Sequence, residues 1–120
     1  MGNYQKLTVW KLAKDLAVDV YKLVEKSDRL KKDFRLVNQI TSSAVSISSN
    51  IAEGDELNTV KQGINHFHIA RGSCAEFITQ IIIAKEIGFI DESEAERFIK
   101  IANRITASLF KLIQVRSTWK

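Results

Sequence analysis

A long uncharged segment constrains the fold of this chain more than any other feature. Residues 36–52 read LVNQITSSAVSISSNIA and contain no Asp, Glu, Lys or Arg. Serines alternate with Val45 and Ile47, which would suit a strand, but the longer apolar register favours a helix. That register is Ile40, Ala44, Ile47 and Ile51. Because a helix without a charged side has no face made for water, the segment predicts packing against other helices on most of its surface.

Four helices are predicted, at about residues 8–26, 34–53, 58–87 and 92–115. The chain has no proline to interrupt them. Gly54 and Gly88 are expected to end the second and third helices, and Asp91 to cap the fourth in a capping box with Glu94. The third helix has the seven-residue repeat of a bundle seam, at Val60, Phe67, Cys74 and Ile81. Since the joints are short, we predict one all-α domain, an antiparallel up-down-up-down four-helix bundle.

The first helix carries more apolar surface than an internal core requires. Trp10 and Tyr21 widen its apolar stripe to about half of the circumference, whereas a surface helix typically needs about 100°. We therefore expect a homo-oligomer in which these rings contact a neighbouring chain. Ser46, Ser49 and Asn50, on the uncharged second helix, are predicted to belong to the same kind of interface.

The charges are unevenly distributed along a chain whose net charge is +4. The joint between the first two helices is basic and is expected to share an end of the bundle with the acidic segment 91–96. The opposite end combines the acidic segment 53–56 with Arg116 and Lys120. One interpretation is that these corners neutralise each other, within one bundle or between subunits.

The fourth helix carries a row of cations that mutual neutralisation of the corners does not explain. From Arg97 to Lys120 there are six basic residues and no acidic one. Arg97, Lys100, Arg104 and Lys111 lie within about 60° on the helical wheel, along about 21 Å of helix. Such a row suits a phosphate backbone, although a solvated helix face is the alternative. Aromatic residues do not interleave with the row, so it gives base stacking no support. A second basic patch is predicted at Lys22, Lys26, Lys31 and Lys32.

The sequence offers little for catalysis or metal binding. His66 and His68 lie about 200° apart around a helix, so they cannot share a metal. Cys74 occupies a seam position, where a cysteine is usually a small buried hydrophobe. A single cysteine agrees with a reducing cytoplasm. No Gly-rich phosphate loop, nucleophile elbow or membrane-spanning stretch is present in the sequence, so we expect no enzymatic activity, cofactor, metal or membrane association.

Three segments resemble a known family: LTVWKLAKDLAVDVYKLVEK (7–26), AVSISSNIAEG (44–54) and IARGSCAEFITQIIIAKEIGFI (69–90). They resemble the four-helix-bundle proteins encoded in intervening sequences of bacterial 23S ribosomal RNA genes, the S23 ribosomal protein family. The resemblance implies a left-handed bundle assembled into a homopentameric ring, without catalytic residues. It also implies a relation to the accessory proteins of diversity-generating retroelements, basic pentamers that bind a reverse transcriptase and nucleic acid.

The second helix departs from the family pattern. Where the family usually has two arginines and a proline, this chain has Thr41, Ser42 and Ser48. Nucleic-acid contacts are therefore expected on the fourth helix rather than the second. The leading hypothesis is a non-enzymatic, pentameric scaffold that binds RNA or DNA through phosphate contacts, with a reverse transcriptase or another protein as partner. The alternative is an oligomeric adaptor that binds protein alone.

Overall fold

The structure is a computed structural model, and it describes residues 3–57 and 59–119. A short 3₁₀ helix, Tyr4–Lys6, precedes the α-helices. These are α1 (Thr8–Lys26), α2 (Asp28–Lys32), α3 (Phe34–Glu56), α4 (Val60–Glu86) and α5 (Glu92–Arg116). The long helices α1 and α4 each pack against both α3 and α5. The chain is therefore an antiparallel up-down-up-down four-helix bundle, as predicted, with extents of 49 × 21 × 20 Å.

The predicted seam of the third helix lies at the centre of this bundle. Phe67, Cys74 and Ile81 are buried along α4, while Val60 at its start is half-buried. The ring of Phe77 packs edge-on against Phe98 of α5, with ring centroids 6.2 Å apart. The other long helices contribute buried apolar residues, among them Val9, Ala13, Leu16, Val20, Leu23, Ala102, Ile105 and Leu109.

The uncharged segment 36–52 is helical throughout, within α3, so the strand alternative is wrong. Its predicted register is fully buried at Ile40, Ala44, Ile47 and Ile51. The opposite edge of α3 faces solvent in the single chain, at Asn38, Gln39, Ser42, Val45 and Ser49. The bundle itself therefore covers one side of the segment and leaves a second, uncharged side open.

Gly54 does not end the second helix as expected, because α3 continues through it to Glu56. The glycine permits a close approach between α3 and α4. A Cβ placed on Gly63 would lie 2.5 Å from the carbonyl oxygen of Gly54, and one on Gly54 would lie 2.6 Å from the Phe67 ring. The predicted start of the third helix, Asn58, lies outside the described residues. α4 begins at Val60, with the side chain of Thr59 accepting from the Gln62 N–H.

The polar joint between the first two long helices forms α2, which sequence analysis did not predict. Its Leu30 is fully buried and attaches the short helix to the core. Ser27 caps α2 and donates a 2.8 Å hydrogen bond to the carbonyl of Phe89. The joint therefore lies against the α4–α5 turn, where Gly88 has a positive φ of 80°. Gly88 follows α4 as predicted, and Asp91 accepts from the Glu94 N–H and caps α5. The reciprocal half of the predicted capping box does not form, because the Glu94 carboxylate pairs with Lys26 and Arg97.

Candidate nucleic-acid interface

The predicted cationic row lies on the solvent-exposed side of α5. Lys100, Arg104 and Lys111 are all exposed. None of the three forms an ion pair with another residue of the described ranges. Since the core residues Ile105 and Leu109 lie on the inner side of the same helix, the three cations are fixed to a rigid, packed element.

Arg97, the first residue of the predicted row, forms ion pairs with nearby carboxylates of the same chain. Its Nε lies 3.2 Å from the Glu94 carboxylate, and its Nη1 lies 3.6 Å from the Asp19 carboxylate of α1. Its guanidinium also stacks over the Phe98 ring, 4.4 Å from the centroid. The row therefore has three cations without local counter-charges and one that is partly neutralised.

Glu94 separates the two predicted basic sets. Its carboxylate lies 2.8 Å from the Lys26 ammonium, while Arg97 approaches it from within α5. The contact with Lys26 is the main cause that lowers the pKa of Glu94, Arg97 adds to it, and burial acts in the opposite direction. Lys26 and Arg97 are thus less available to a phosphate than their positions in the sequence suggested.

The rest of the second predicted patch remains free of such pairing. Lys22 on α1 and both Lys31 and Lys32 on α2 are exposed, and the described part of the chain offers them no ion-pair partner. Arg35 at the start of α3 is exposed next to them. Lys31, Lys32 and Arg35 place a basic corner at the junction of α2 and α3.

Sequence reasoning did not single out Phe34, which lies in this basic corner. It is the first residue of α3, and 79% of its surface is exposed. The signal that could have found it is its position outside the buried register of α3, which begins at Leu36. Phe34 lies off the core face of its helix, and the nearby sequence contains Lys32 and Arg35. This pattern predicts an exposed ring close to cations.

The predicted interface residues have different environments. Trp10 is half-buried, with the Tyr4 ring edge-on at 5.2 Å, whereas Tyr21 is 56% exposed. Ser49 is exposed, while Ser46 and Asn50 are half-buried. Tyr21 and Ser49 are therefore the members of this set most accessible to a neighbouring chain.

Ser46 and Asn50 take part in a row of polar contacts between α3 and α4. Ser46 and Ser73 share a hydrogen bond of 2.9 Å, and Asn50 Oδ1 lies 2.9 Å from His66 Nδ1. Farther along, Ser43 donates to Gln80 Oε1 at 2.6 Å. Small side chains bring the two helices together, and these polar groups satisfy one another inside the chain.

The outer surface formed by α3 and α4 exposes apolar side chains. These are Ile69 and Ile83 on α4, Ile87 just after its end, and Val45 on α3. Gln39 and Ile83 line one shallow groove between the two helices, together with the exposed side chain of Glu76. We use the name uncharged flank for the neutral residues of this surface, which border Glu76: Gln39, Ser42, Val45 and Ser49 of α3 and Ile69, Thr79 and Ile83 of α4. Its composition is typical of a surface covered by a partner.

The opposite end of the bundle confirms the predicted contact between an acidic joint and the basic tail. Arg116 donates to Asp55 Oδ1 at 2.7 Å; Asp55 is buried and Arg116 is half-buried. The same guanidinium stacks over Trp119, 4.3 Å from the ring centroid. Lys120, the other predicted cation of this tail, lies outside the described residues.

Cys74 is buried and His66 is hydrogen-bonded, so neither side chain is free for chemistry. Burial raises the pKa of the Cys74 thiol, which therefore favours its neutral form. His66 contacts Asn50, and the carboxylate of Glu53 lies 3.7 Å from it. Over residues 3–57 and 59–119, no three His, Cys, Asp or Glu side chains are grouped closely enough to hold a metal ion. In the same ranges no helix has the length and apolarity needed to cross a membrane.

These features define a class of protein: a small four-helix bundle with clustered surface cations and an uncharged exposed flank. The sequence profile of the 23S rRNA-intervening sequence protein family matches residues 5–111. The chain therefore belongs to this family.

A solved structure supports the same fold. It is that of a protein of unknown function from the S23 ribosomal protein family of Bacteroides thetaiotaomicron, determined at 1.70 Å resolution. The two chains are 23% identical and superpose with a TM-score of 0.83, over 88% of this chain and 98% of the other. No curated protein matches the sequence significantly.

Proposed function

We propose that this protein is a non-enzymatic homo-oligomeric scaffold of the cytoplasm that binds RNA or DNA through phosphate contacts. The observation that carries the proposal is the set of exposed cations on α5, Lys100, Arg104 and Lys111, which have no ion-pair partner among the described residues. They span about 17 Å along one side of a packed helix. Each phosphate that they neutralise would release counterions and so strengthen binding.

Assembly would multiply this effect, because each subunit of a ring contributes one row. A pentamer is the state that we propose, and the uncharged flank supports a subunit contact. A reverse transcriptase or another nucleic-acid enzyme is the kind of protein that such a scaffold would serve. Since phosphate contacts carry no base information, little sequence preference is expected.

The test is a salt series with a labelled nucleic acid. Affinity of the wild-type protein should fall steeply between about 50 and 200 mM salt. The charge-reversed variant Lys100→Glu/Arg104→Glu/Lys111→Glu should bind more weakly, and its plot of log affinity against log salt should lose about two to three units of slope. Fluorescence anisotropy measures both quantities.

A matched variant separates local contacts from net charge. Lys6→Glu/Lys14→Glu/Lys61→Glu makes the same change in net charge at exposed positions outside the row. It should retain most of the wild-type slope. Equal losses in both triple variants would show that only the overall charge matters, and undetectable wild-type binding at about 50 mM salt would reject the proposal.

The second candidate is an adaptor that binds protein alone, and the exposed apolar residues of the uncharged flank favour it. It differs in one measurable respect. An adaptor would still assemble and show no affinity for either RNA or DNA at low salt.

A further inference from the structure

Phe34 has an unusual environment for an aromatic residue of this protein. Among residues 3–57 and 59–119 it is the most exposed large apolar side chain, at 79%. Four other aromatic rings lie beneath guanidinium groups, namely Phe98 beneath Arg97, Phe110 beneath Arg71, and both Phe67 and Trp119 beneath Arg116. Within the described ranges the Phe34 ring stacks on no guanidinium and no second aromatic ring. Its faces are therefore open to an external partner.

Three cations are close neighbours of Phe34 along the chain. Lys31, Lys32 and Arg35 are exposed and lie within three residues of Phe34, so their Cα atoms are at most about 11 Å from its own. The adjoining carboxylate, that of Asp33, accepts from the Leu36 N–H at 3.0 Å and so faces the first turn of α3. The corner thus combines an open aromatic ring with three exposed cations and one exposed carboxylate, that of Asp28, in a short stretch of chain.

We infer that this corner binds a single-stranded stretch of nucleic acid, with one unpaired base stacked on Phe34 and the adjoining phosphates contacted by Lys31, Lys32 and Arg35. The inference rests on the proposed function, because it specifies which form of nucleic acid this surface prefers. Stacking needs an open aromatic face, and phosphates need mobile cations nearby. In a duplex the bases are already stacked, so only the phosphate contacts remain.

An anionic membrane is the other partner that an exposed ring among cations could fit. The same end of the bundle, however, also carries exposed carboxylates at Glu86, Asp91 and Glu92. A planar anionic bilayer would meet these groups together with the basic corner. A single strand is narrow enough to touch the corner alone, so the charge distribution favours nucleic acid.

The experiment compares two probes of the same sequence, a 12-nucleotide single strand and the corresponding blunt duplex, by fluorescence anisotropy at fixed salt. Phe34→Ala should weaken single-strand binding by between about 5-fold and about 150-fold, the range expected for one stacked base. Duplex affinity should stay within about 2-fold of wild type. Phe34→Trp should restore single-strand binding, while Phe34→Leu, which is apolar without a π face, should not.

Two controls accompany this series. Trp119→Ala removes another exposed ring, at the opposite end of the bundle, and should leave both affinities unchanged. Lys31→Glu/Lys32→Glu should weaken both probes, because both have phosphates. Because Phe34 is exposed at the first position of α3, circular dichroism should show unchanged helicity in each Phe34 variant.

Several results would overturn the inference. Stacking would be excluded if Phe34→Ala or Phe34→Leu bound the single strand as tightly as wild type does. It would also be excluded if Phe34→Ala lost the same affinity for the single strand as for the duplex. A change in particle mass on Phe34→Ala would make the ring a contact between subunits. If Phe34→Ala lost binding to phosphatidylserine vesicles but kept wild-type affinity for the single strand, the corner would be a membrane site. If wild type binds both probes and Phe34→Ala changes neither, only this inference fails; if wild type binds neither, the proposed function fails with it.

Discussion

Asp55 and Arg116 form a largely buried ion pair that depends on both residues. Only 4% of the Asp55 side chain and 13% of the Arg116 side chain are exposed, and their contact joins the end of α3 to the end of α5. A buried pair gains little over an apolar one, because both charges lose their hydration. Removing one partner is far more costly, because the remaining charge stays buried without compensation.

We therefore predict that Arg116→Ala lowers the free energy of unfolding by about 3 kcal/mol. Urea denaturation followed by circular dichroism measures this loss. Lys14→Ala is the matched control, since its 2.6 Å pair with Asp15 is exposed and should contribute less than about 1 kcal/mol. Similar losses in the two variants would contradict the burial of the Asp55–Arg116 pair.

Among the helices, periodicity alone predicted most of what the structure contains. Phe67, Cys74 and Ile81 are buried as their seven-residue spacing indicates. α2 was missed because a single buried residue, Leu30, holds an otherwise polar segment to the core. The exposed side of α5 could be placed from the helical wheel. The pairing of Arg97 with Asp19 could not, because it depends on how α1 and α5 lie beside each other.

Gly54 is the clearest case in which local sequence was misleading. A glycine near the end of an apolar helical run usually marks a C-terminal stop. Here it lies inside α3, and its carbonyl oxygen faces Gly63 of α4. A glycine can end a helix or allow two helices to touch. The neighbouring helix decides between these roles, and the local sequence does not show where that helix lies.

This contact yields a prediction at the level of α4. Gly63→Ala would place a methyl group 2.5 Å from the Gly54 carbonyl oxygen, so the two helices must separate. We expect a loss of about 1–3 kcal/mol in unfolding free energy, in spite of the higher helix propensity of alanine. In Gly72→Ala, the added methyl meets nothing within 4 Å in the single chain, and the protein should be as stable as wild type or more stable. Thermal unfolding of both variants separates packing from propensity, and a stabilised Gly63→Ala variant would contradict the close contact.

At the scale of the whole molecule, the arrangement of helices bears on how subunits would join. α1 and α4 lie diagonally opposite each other in the bundle, since each packs against both α3 and α5. The exposed Tyr21 of α1 and the uncharged flank along α4 therefore lie on different sides of the bundle. A closed ring is built from heterologous contacts, in which one surface of a subunit meets a different surface of the next. We propose that Tyr21 and Ile83 belong to these two surfaces.

Two charge insertions test this arrangement. Tyr21→Glu and Ile83→Glu should each reduce the particle mass in light scattering from that of an oligomer towards the 13.6 kDa protomer, with helicity retained. Val115→Glu, at another exposed apolar position, should leave the mass unchanged.

The decisive measurement is an equimolar mixture of the two disrupted variants. In a head-to-tail ring, Tyr21→Glu retains an intact flank and Ile83→Glu retains an intact α1 surface, so one joint between them can still form. The mixture should then yield a dimer of about twice the protomer mass, and no larger particle. If each surface paired with its own copy, either variant alone would still dimerise through its intact surface, and mixing would not raise the particle mass. Variants that are monomeric alone and stay monomeric when mixed would exclude the heterologous ring.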